Sequence, residues 1–217
     1  MNTNKRLQRI ADFSHGYIDQ AYQQRADRAR LDKLLANARY RWEHTLRVTQ
    51  YGKVIAETDG ANVALVVAAC LLHDIAWFDT NNENNREHGR IGAKIARSLL
   101  EGLEYSPEEV ENICYSIASH VDEESPTTIE AKITSDADNV DRFGPYRILQ
   151  WCFSDIGNYE GLADKLKERL QRLEQYREKQ LMFTPTGQQL FREQLDLQIK
   201  YFSAFIGEKE LTILPRI

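Results

Sequence analysis

Cysteine is scarce in this chain: Cys70, Cys114 and Cys152 are odd in number, far apart and set among apolar neighbours. That pattern excludes a disulfide framework and predicts reduced core thiols in a cytoplasmic protein. Proline (5) and glycine (11) are also few, and alternating β-branched runs are nearly absent, which argues against a sandwich or barrel and predicts an all-α fold. No apolar run is long enough to span a bilayer, and the longest, Val63 to Leu72, has about half the required length. The first twenty residues, with Lys5, Arg6 and Arg9, hold no signal-like apolar core, so no membrane association is expected. Basic residues are outnumbered, 28 against 33 acidic, for a net charge of −5. That is the wrong sign for a sequence-independent grip on duplex nucleic acid.

What is present is a globular composition of sufficient size. A chain of 217 residues buries roughly 70% of its unfolded surface, so no metal is needed merely to hold it together. A ligand pattern can therefore be read as functional. Helical periodicity divides the chain into a helical lead-in over 1–38, a core over 39–155 and C-terminal helices over 156–217 that pack on the core. Ile10, Phe13, Ile18, Tyr22, Leu31 and Leu34 are the inward positions of the lead-in. A helix through Trp42, Leu46, Tyr51 and Ile55 ends at Asp59-Gly60, where glycine can turn left-handed. Val63 to Leu72 is apolar on every side, as a helix buried at the centre would be. Asp79 to Arg86 is polar loop, and a helix resumes over Gly89 to Leu100. Ser106-Pro107-Glu108-Glu109 has the form of a capping box, opening a helix that runs to about His120. Pro126 to Glu130 starts another through Ile133 and Ala137, and after Asp141 the pattern loosens around Gly144-Pro145. Leu162, Leu166, Leu170 and Leu173 form one face of a helix, better suited to core or a hairpin seam than to a zipper. Thr184-Pro185-Thr186-Gly187 interrupts before the last helix.

Four of the five histidines, His44, His73, His88 and His120, fall at or near the ends of successive central helices, with His15 the outlier. Imidazole together with carboxylate suits Mn, Fe, Co, Ni or Zn. The doublet His73-Asp74 follows the wholly apolar helix, and an aspartate buried there needs a cation or several donors to offset its desolvation. Asp136, Asp138 and Asp141 crowd the end of a later helix, where three carboxylates repel unless positive charge lies among them.

In this order, His44, then His73-Asp74, then Asp138, the chain resembles the HD superfamily of metal-dependent phosphohydrolases. Further matches are Glu87-His88-Gly89 before Ile91-Gly92-Ala93, Ile117-Ala118-Ser119-His120, Pro126 to Lys132 leading into Asp136-Ala137-Asp138, and Thr184-Pro185-Thr186-Gly187. These look like a bacterial subgroup of predicted HD-domain hydrolases, and the resemblance covers residues 40 to 205 or so. It implies an HD-domain helical bundle with helical extensions, and cleavage of a phosphate ester or anhydride in a small molecule, a nucleotide above all. It implies His44, His73, Asp74 and Asp138 as ligands of a first divalent metal, with Mn, Mg, Fe, Co, Ni and Zn not distinguished. Asp74, His88 and His120 are the catalytic residues it implies. His88 and His120 either hold a second ion or contact the substrate phosphate. The same residues would also serve an HD-fold di-iron oxygenase, and a non-catalytic nucleotide-binding module is the third reading.

The chain departs from the subgroup's pattern after Asp138. Asn139 and Val140 replace a basic residue and leucine, and Arg142-Phe143-Gly144-Pro145-Tyr146 replaces small aliphatic residues around a glycine. The ligand set is intact while the substrate pocket differs. Arg47, Arg86, Arg90 and Lys132, with Lys94 and Arg97 beside them, are candidates for an anionic substrate. Asp141 is assigned either to the substrate or to orienting a ligand histidine. Trp77 and Phe78 either stack on a base or pack. A monomer or a homodimer is equally compatible with the sequence.

Overall fold

A computed structural model describes residues 1–80, 86–121, 125–154 and 159–211. Every regular element among the described residues is helical, as the composition predicts. In order they are α1 (Thr3–Gln23), α2 (Arg28–Lys33), α3 (Ala38–Asp59), α4 (Val63–Leu72), α5 (Glu87–Gly102), α6 (Pro107–Ser119), α7 (Ile129–Arg142), α8 (Pro145–Ser154), α9 (Tyr159–Gln175) and α10 (Pro185–Glu210). One 3-10 turn, Trp77–Asp79, follows α4.

Local signals set most boundaries. Asn37, Asn62, Ser106, Thr128 and Thr184 each cap a helix with a side-chain oxygen, and Ser106 with Glu109 forms the expected reciprocal box. Gly60, at φ 77°, closes α3 in the left-handed conformation. Three expectations need correction. The helix placed at Gly89 begins at Glu87, so His88 lies inside its first turn. Gly144-Pro145 does not loosen the chain, because the proline opens α8, where its missing N–H costs nothing. Thr184 is likewise the start of α10 and not merely an interruption, its hydroxyl accepting from Gly187 N at 3.1 Å. Of the expected loop 79–86, residues 81–85 lie outside the described residues.

α4 occupies the centre. One side packs with α1, α5 and α6 through Leu65, Leu72, Ile75, Leu100, Ile113 and Ile117, and the other meets α3 and α7 through Val66, Cys70, Val48, Ile133 and Ala137. This double burial explains why its sequence has no polar face. A further cluster joins α7, α8, α9 and α10 around Leu166, Leu173, Phe191, Leu195 and Phe202, so the leucine stripe is a packing seam. All three cysteines are free, and burial pushes the Cys70 thiol up to about 12. Among the described residues no helix is long and apolar enough to cross a membrane.

Candidate metal centre

The C-terminus of α4 delivers His73 and Asp74 into the space between α3, α5, α6 and α7. All four histidines and Asp74 are buried, and Asp138 stands at the edge of the same space. His44 comes from the middle of α3, His88 from the first turn of α5, His120 from the end of α6 and Asp138 from α7. Gly89 makes the α5–α6 approach possible: a Cβ there would stand 2.9 Å from the Ile117 carbonyl oxygen and 3.0 Å from that of Ala118. Only a glycine lets α5 lie this close to the turn bearing His120.

Two donor sets share one carboxylate. In the first, His44 Nε2 lies 3.3 Å from His73 Nε2, 3.4 Å from Asp74 Oδ2 and 3.2 Å from Asp138 Oδ1. His73 Nε2 is 3.4 Å from Asp74 Oδ2 and 4.0 Å from Asp138 Oδ1. In the second, Asp74 Oδ1 is 2.9 Å from His88 Nε2 and 3.8 Å from His120 Nε2, and the two imidazole nitrogens are 3.1 Å apart. The two oxygens of Asp74 thus face opposite groups, each a possible cation cage.

The far sides of the rings decide what these nitrogens can do. His44 Nδ1 is 2.7 Å from Asp141 Oδ2, His73 Nδ1 is 2.7 Å from Cys70 O and His120 Nδ1 is 2.6 Å from Ile117 O. Each Nδ1 therefore carries its proton outward, and each Nε2 turns a lone pair inward, the arrangement of ligating histidines with outer partners. Lone pairs facing each other at 3.3 Å between His44 and His73 repel unless a positive charge lies between them, and His88 and His120 bring their Nε2 atoms to 3.1 Å. Donors bonded to a transition ion at about 2.0–2.2 Å stand about 3.0–3.5 Å apart, which these spacings fit.

The charges agree. Burial alone would raise the Asp74 carboxyl, yet Arg41 and His73, with the His120 and His44 imidazoles beside it, hold it well below the carboxylate range. Asp138 is lowered against burial in the same way, by His44 above all. Burial would lower His44, but hydrogen bonds to Asp138, Asp141 and Asp74 raise it well above its ordinary value. A proton on one side and depressed carboxylates on the other both record a demand for positive charge at the centre.

The remaining candidates sort themselves. Asp141 lines the cavity, yet it is engaged by His44 and by Arg47, whose Nε and Nη2 reach Asp141 Oδ1 and Oδ2 at 2.6 and 3.1 Å. Arg47 also lies 4.1 Å over the Tyr146 ring, so the pair braces His44 and Arg47 does not front the cavity. Arg86 lines the cavity, whereas Arg90 and Lys132 do not. Arg97 pairs with Glu111 at 2.6 Å. Trp77 lines the cavity and Phe78 is buried against Tyr22. His15 stacks on Trp42.

The crowding expected of three aspartates does not occur, because all three lie within α7. At roughly 100° per residue, Asp136 points about 160° or more away from the Asp138 and Asp141 face. It accepts instead from Phe183 N, Thr184 N and Thr184 Oγ1 at 2.8, 2.8 and 2.7 Å, and burial pushes its carboxyl up to about 6 against those donors. Arg41 was not anticipated from sequence. It pairs with Asp74 Oδ2 and lies 4.1 Å over the Trp77 ring. Its signal was its place three residues before His44, on the same helix face.

The cavity above this centre has a volume of about 590 Å³. Arg41, Arg86, Arg142 and Arg147 line it, together with Tyr40 and Trp77.

Residues 41–142, just under half of the chain, match the HD domain family. Solved structures share the whole architecture. A predicted HD superfamily hydrolase from an uncultured Thermotogales bacterium superposes with a TM-score of 0.64 at 20% identity, covering 96% of this chain and 99% of that one. Bacillus subtilis YpgQ in complex with ADP superposes with a TM-score of 0.59 at 18% identity, covering 93% and 98%. Among curated sequences, ribonuclease Y of Chloroflexus aurantiacus is 33% identical over 117 residues, 51% of this chain and 21% of that protein. Ribonuclease Y of Petrotoga mobilis is 31% identical over 96 residues, 44% and 17%. The chain thus spans about a fifth of the length of these relatives.

Proposed function

We propose that this protein is a metal-dependent phosphohydrolase that cleaves a phosphate ester or anhydride in a small molecule, with a nucleotide as the favoured substrate. The observation that carries the reading is the Asp74 carboxylate, set between two groups of inward-facing imidazoles beneath an arginine-lined cavity. His44, His73, Asp74 and Asp138 would hold the first divalent ion, and Asp74, His88 and His120 a second. When bound, such ions supply Lewis acidity toward a phosphoryl oxygen and toward an attacking water. The protein's own part is orientation and charge. Asp141, backed by Arg47, keeps the Nδ1 proton of His44 outward, and the carbonyls of Cys70 and Ile117 do the same for His73 and His120. Arg41, Arg86, Arg142 and Arg147 offer guanidinium forks to phosphate oxygens. Tyr40 and Trp77 give the cavity the aromatic surface that a base would use, and 590 Å³ lies within the range of about 300–1,000 Å³ usual for small-molecule sites. The fold relative solved with ADP and the ribonuclease Y relatives add support for a phosphate-bearing substrate.

The test is metal content after purification without chelator or nickel resin, followed by phosphate release from a nucleotide panel with Mn, Mg, Co or Fe. Metal-dependent release from the wild type that is lost in Asp74→Asn is the expected result. Two irons per chain without release from any compound would overturn the hydrolase in favour of the oxygenase. Absence of metal under every condition would leave a binding module.

A further inference from the structure

Beyond the metal centre the cavity does not end. Arg142 and Arg147 line both it and a second hollow of about 330 Å³, to which Arg169 belongs as well. Three guanidinium groups therefore converge from three elements, Arg142 from the end of α7, Arg147 from the first turn of α8 and Arg169 from α9. Phe143 and Tyr176 form apolar walls.

Among the described residues none of the three makes an ion pair. Their side-chain hydrogen bonds go to neutral groups: Arg142 to Asn139 Oδ1 at 3.5 Å, Arg147 to Gln150 Oε1 and to Tyr40, and Arg169 to Gln198 Oε1 at 3.4 Å. Arg169 Nε is buried with no partner at all. Burial and the neighbouring charges of Arg147, Arg172 and Arg142 push Arg169 down to about 10, and burial together with Arg142 and Arg41 lowers Arg147. The rest of the chain is different: it carries more acidic than basic residues, and it gives Arg41 and Arg47 a carboxylate each. Arg142 is exposed and acts on Asp138 through space, but leaving the half-buried Arg147 and Arg169 without a carboxylate is costly to the folded state, and an anion among the three removes the cost. Two of the three, Arg142 and Arg147, lie in or just after the segment where the sequence departs from the small aliphatic residues of its resembled subgroup.

We propose that Arg142, Arg147 and Arg169 form a second phosphate subsite, separate from the metal centre, that holds a phosphate group of the substrate other than the one that reacts. The preferred substrate then carries at least two phosphates. Phosphate is favoured over carboxylate because several guanidinium forks can share its oxygens and its larger charge. The word substrate rests on the hydrolase reading, whereas the anion site does not.

Calorimetric titration of inorganic pyrophosphate into the intact chain, freed of metal with EDTA, tests the site directly. The wild type is expected to bind one pyrophosphate and Arg169→Gln to bind at least tenfold more weakly. Arg169→Gln should unfold at the wild-type temperature or above, since it removes an uncompensated cation. Arg142→Gln, at an exposed side chain, provides the same test should the first variant not fold, with at least threefold weaker binding expected. Wild-type affinity in both arginine variants, or no binding by the wild type, would each overturn the subsite. The two readings fail separately. Arginine-dependent pyrophosphate binding without turnover of any phosphate compound would sink the hydrolase and keep the subsite. Metal-dependent hydrolysis with the same KM for mono- and diphosphates, unchanged in Arg169→Gln, would do the reverse.

Discussion

If positive charge is what the centre demands, adding a divalent ion must stabilise the fold, and the size of the effect can be set in advance. At a free Mn²⁺ concentration one hundredfold above Kd, binding to the native state alone contributes about 2.7 kcal/mol. For a chain of this size 1 kcal/mol shifts Tm by about 2–4 °C, so a rise of roughly 5–11 °C is expected. The competitor for the site is a proton. His44 is raised well above its ordinary value by Asp138, Asp141 and Asp74, despite burial. Its contribution to metal-free stability is therefore complete below the unfolded histidine pKa and is lost as pH rises through the folded one. A metal needs the imidazole neutral, so the Mn²⁺-induced rise should be larger at pH 8 than at pH 6 while the metal-free protein becomes less stable over the same interval. In Asp74→Asn the carboxylate shared by both donor sets is gone, and the Mn²⁺ shift should fall to near zero. That variant should also lose about 2–4 kcal/mol without metal, because Arg41 is left without its buried partner. Differential scanning fluorimetry with and without EDTA reads all of this. An equal Mn²⁺ shift in wild type and Asp74→Asn, or a larger shift at pH 6 than at pH 8, would refute the placement of the ion.

Other perturbations separate the parts of the site. Asp141→Asn should weaken metal binding by about 10–100-fold, since it removes the negative charge of the acceptor that orients His44; metal titration monitored by fluorescence checks this. Gly89→Ala forces α5 away from the carbonyl oxygens of Ile117 and Ala118, at a cost of about 1–3 kcal/mol in urea unfolding. Any second equivalent of metal should be lost before the first, because only His88 moves with α5. Asp136→Ala strands three donors at the start of α10 and should cost about 2–4 kcal/mol by the same assay. The first metal should still bind, with KM raised because Leu181 and Phe183 wall the cavity.

The all-α fold and three of the four clustered histidines were legible for one reason: a helix end is marked locally by caps, glycine and apolar periodicity, and His73, His88 and His120 sit at such a mark, whereas His44 lies within α3 and not at the helix end expected for it. The HD resemblance then singled out Asp138 among three nearby aspartates. What sequence could not supply was direction and distance. Asp136 and Asp138 are two residues apart, and only a helix that continues through both turns them to opposite sides, one toward the histidines and the other toward Thr184. Taking the three carboxylates as a cluster at the end of that helix, without their directions around it, put them all in one crowd. Arg47 and Arg41 stand at the same spacing from His44 in opposite directions along α3, and only the position of α7 decides that Arg47 braces Asp141 while Arg41 meets Asp74. Arg169 has no local signal at all, since it joins Arg142 and Arg147 only through the packing of α9 and α10 against α7 and α8. This has a physical consequence for how the protein works. α7 carries Asp138 to the candidate metal centre, Arg142 to the second hollow and Asp136 to the clamp on α10, so the alignment of the proposed metal ligand, the proposed anion site and the cavity wall depends on one helix holding its register. A change that shifts α7 by a fraction of a turn should impair all three together, whereas changes at Arg169 or Asp136 should impair one each.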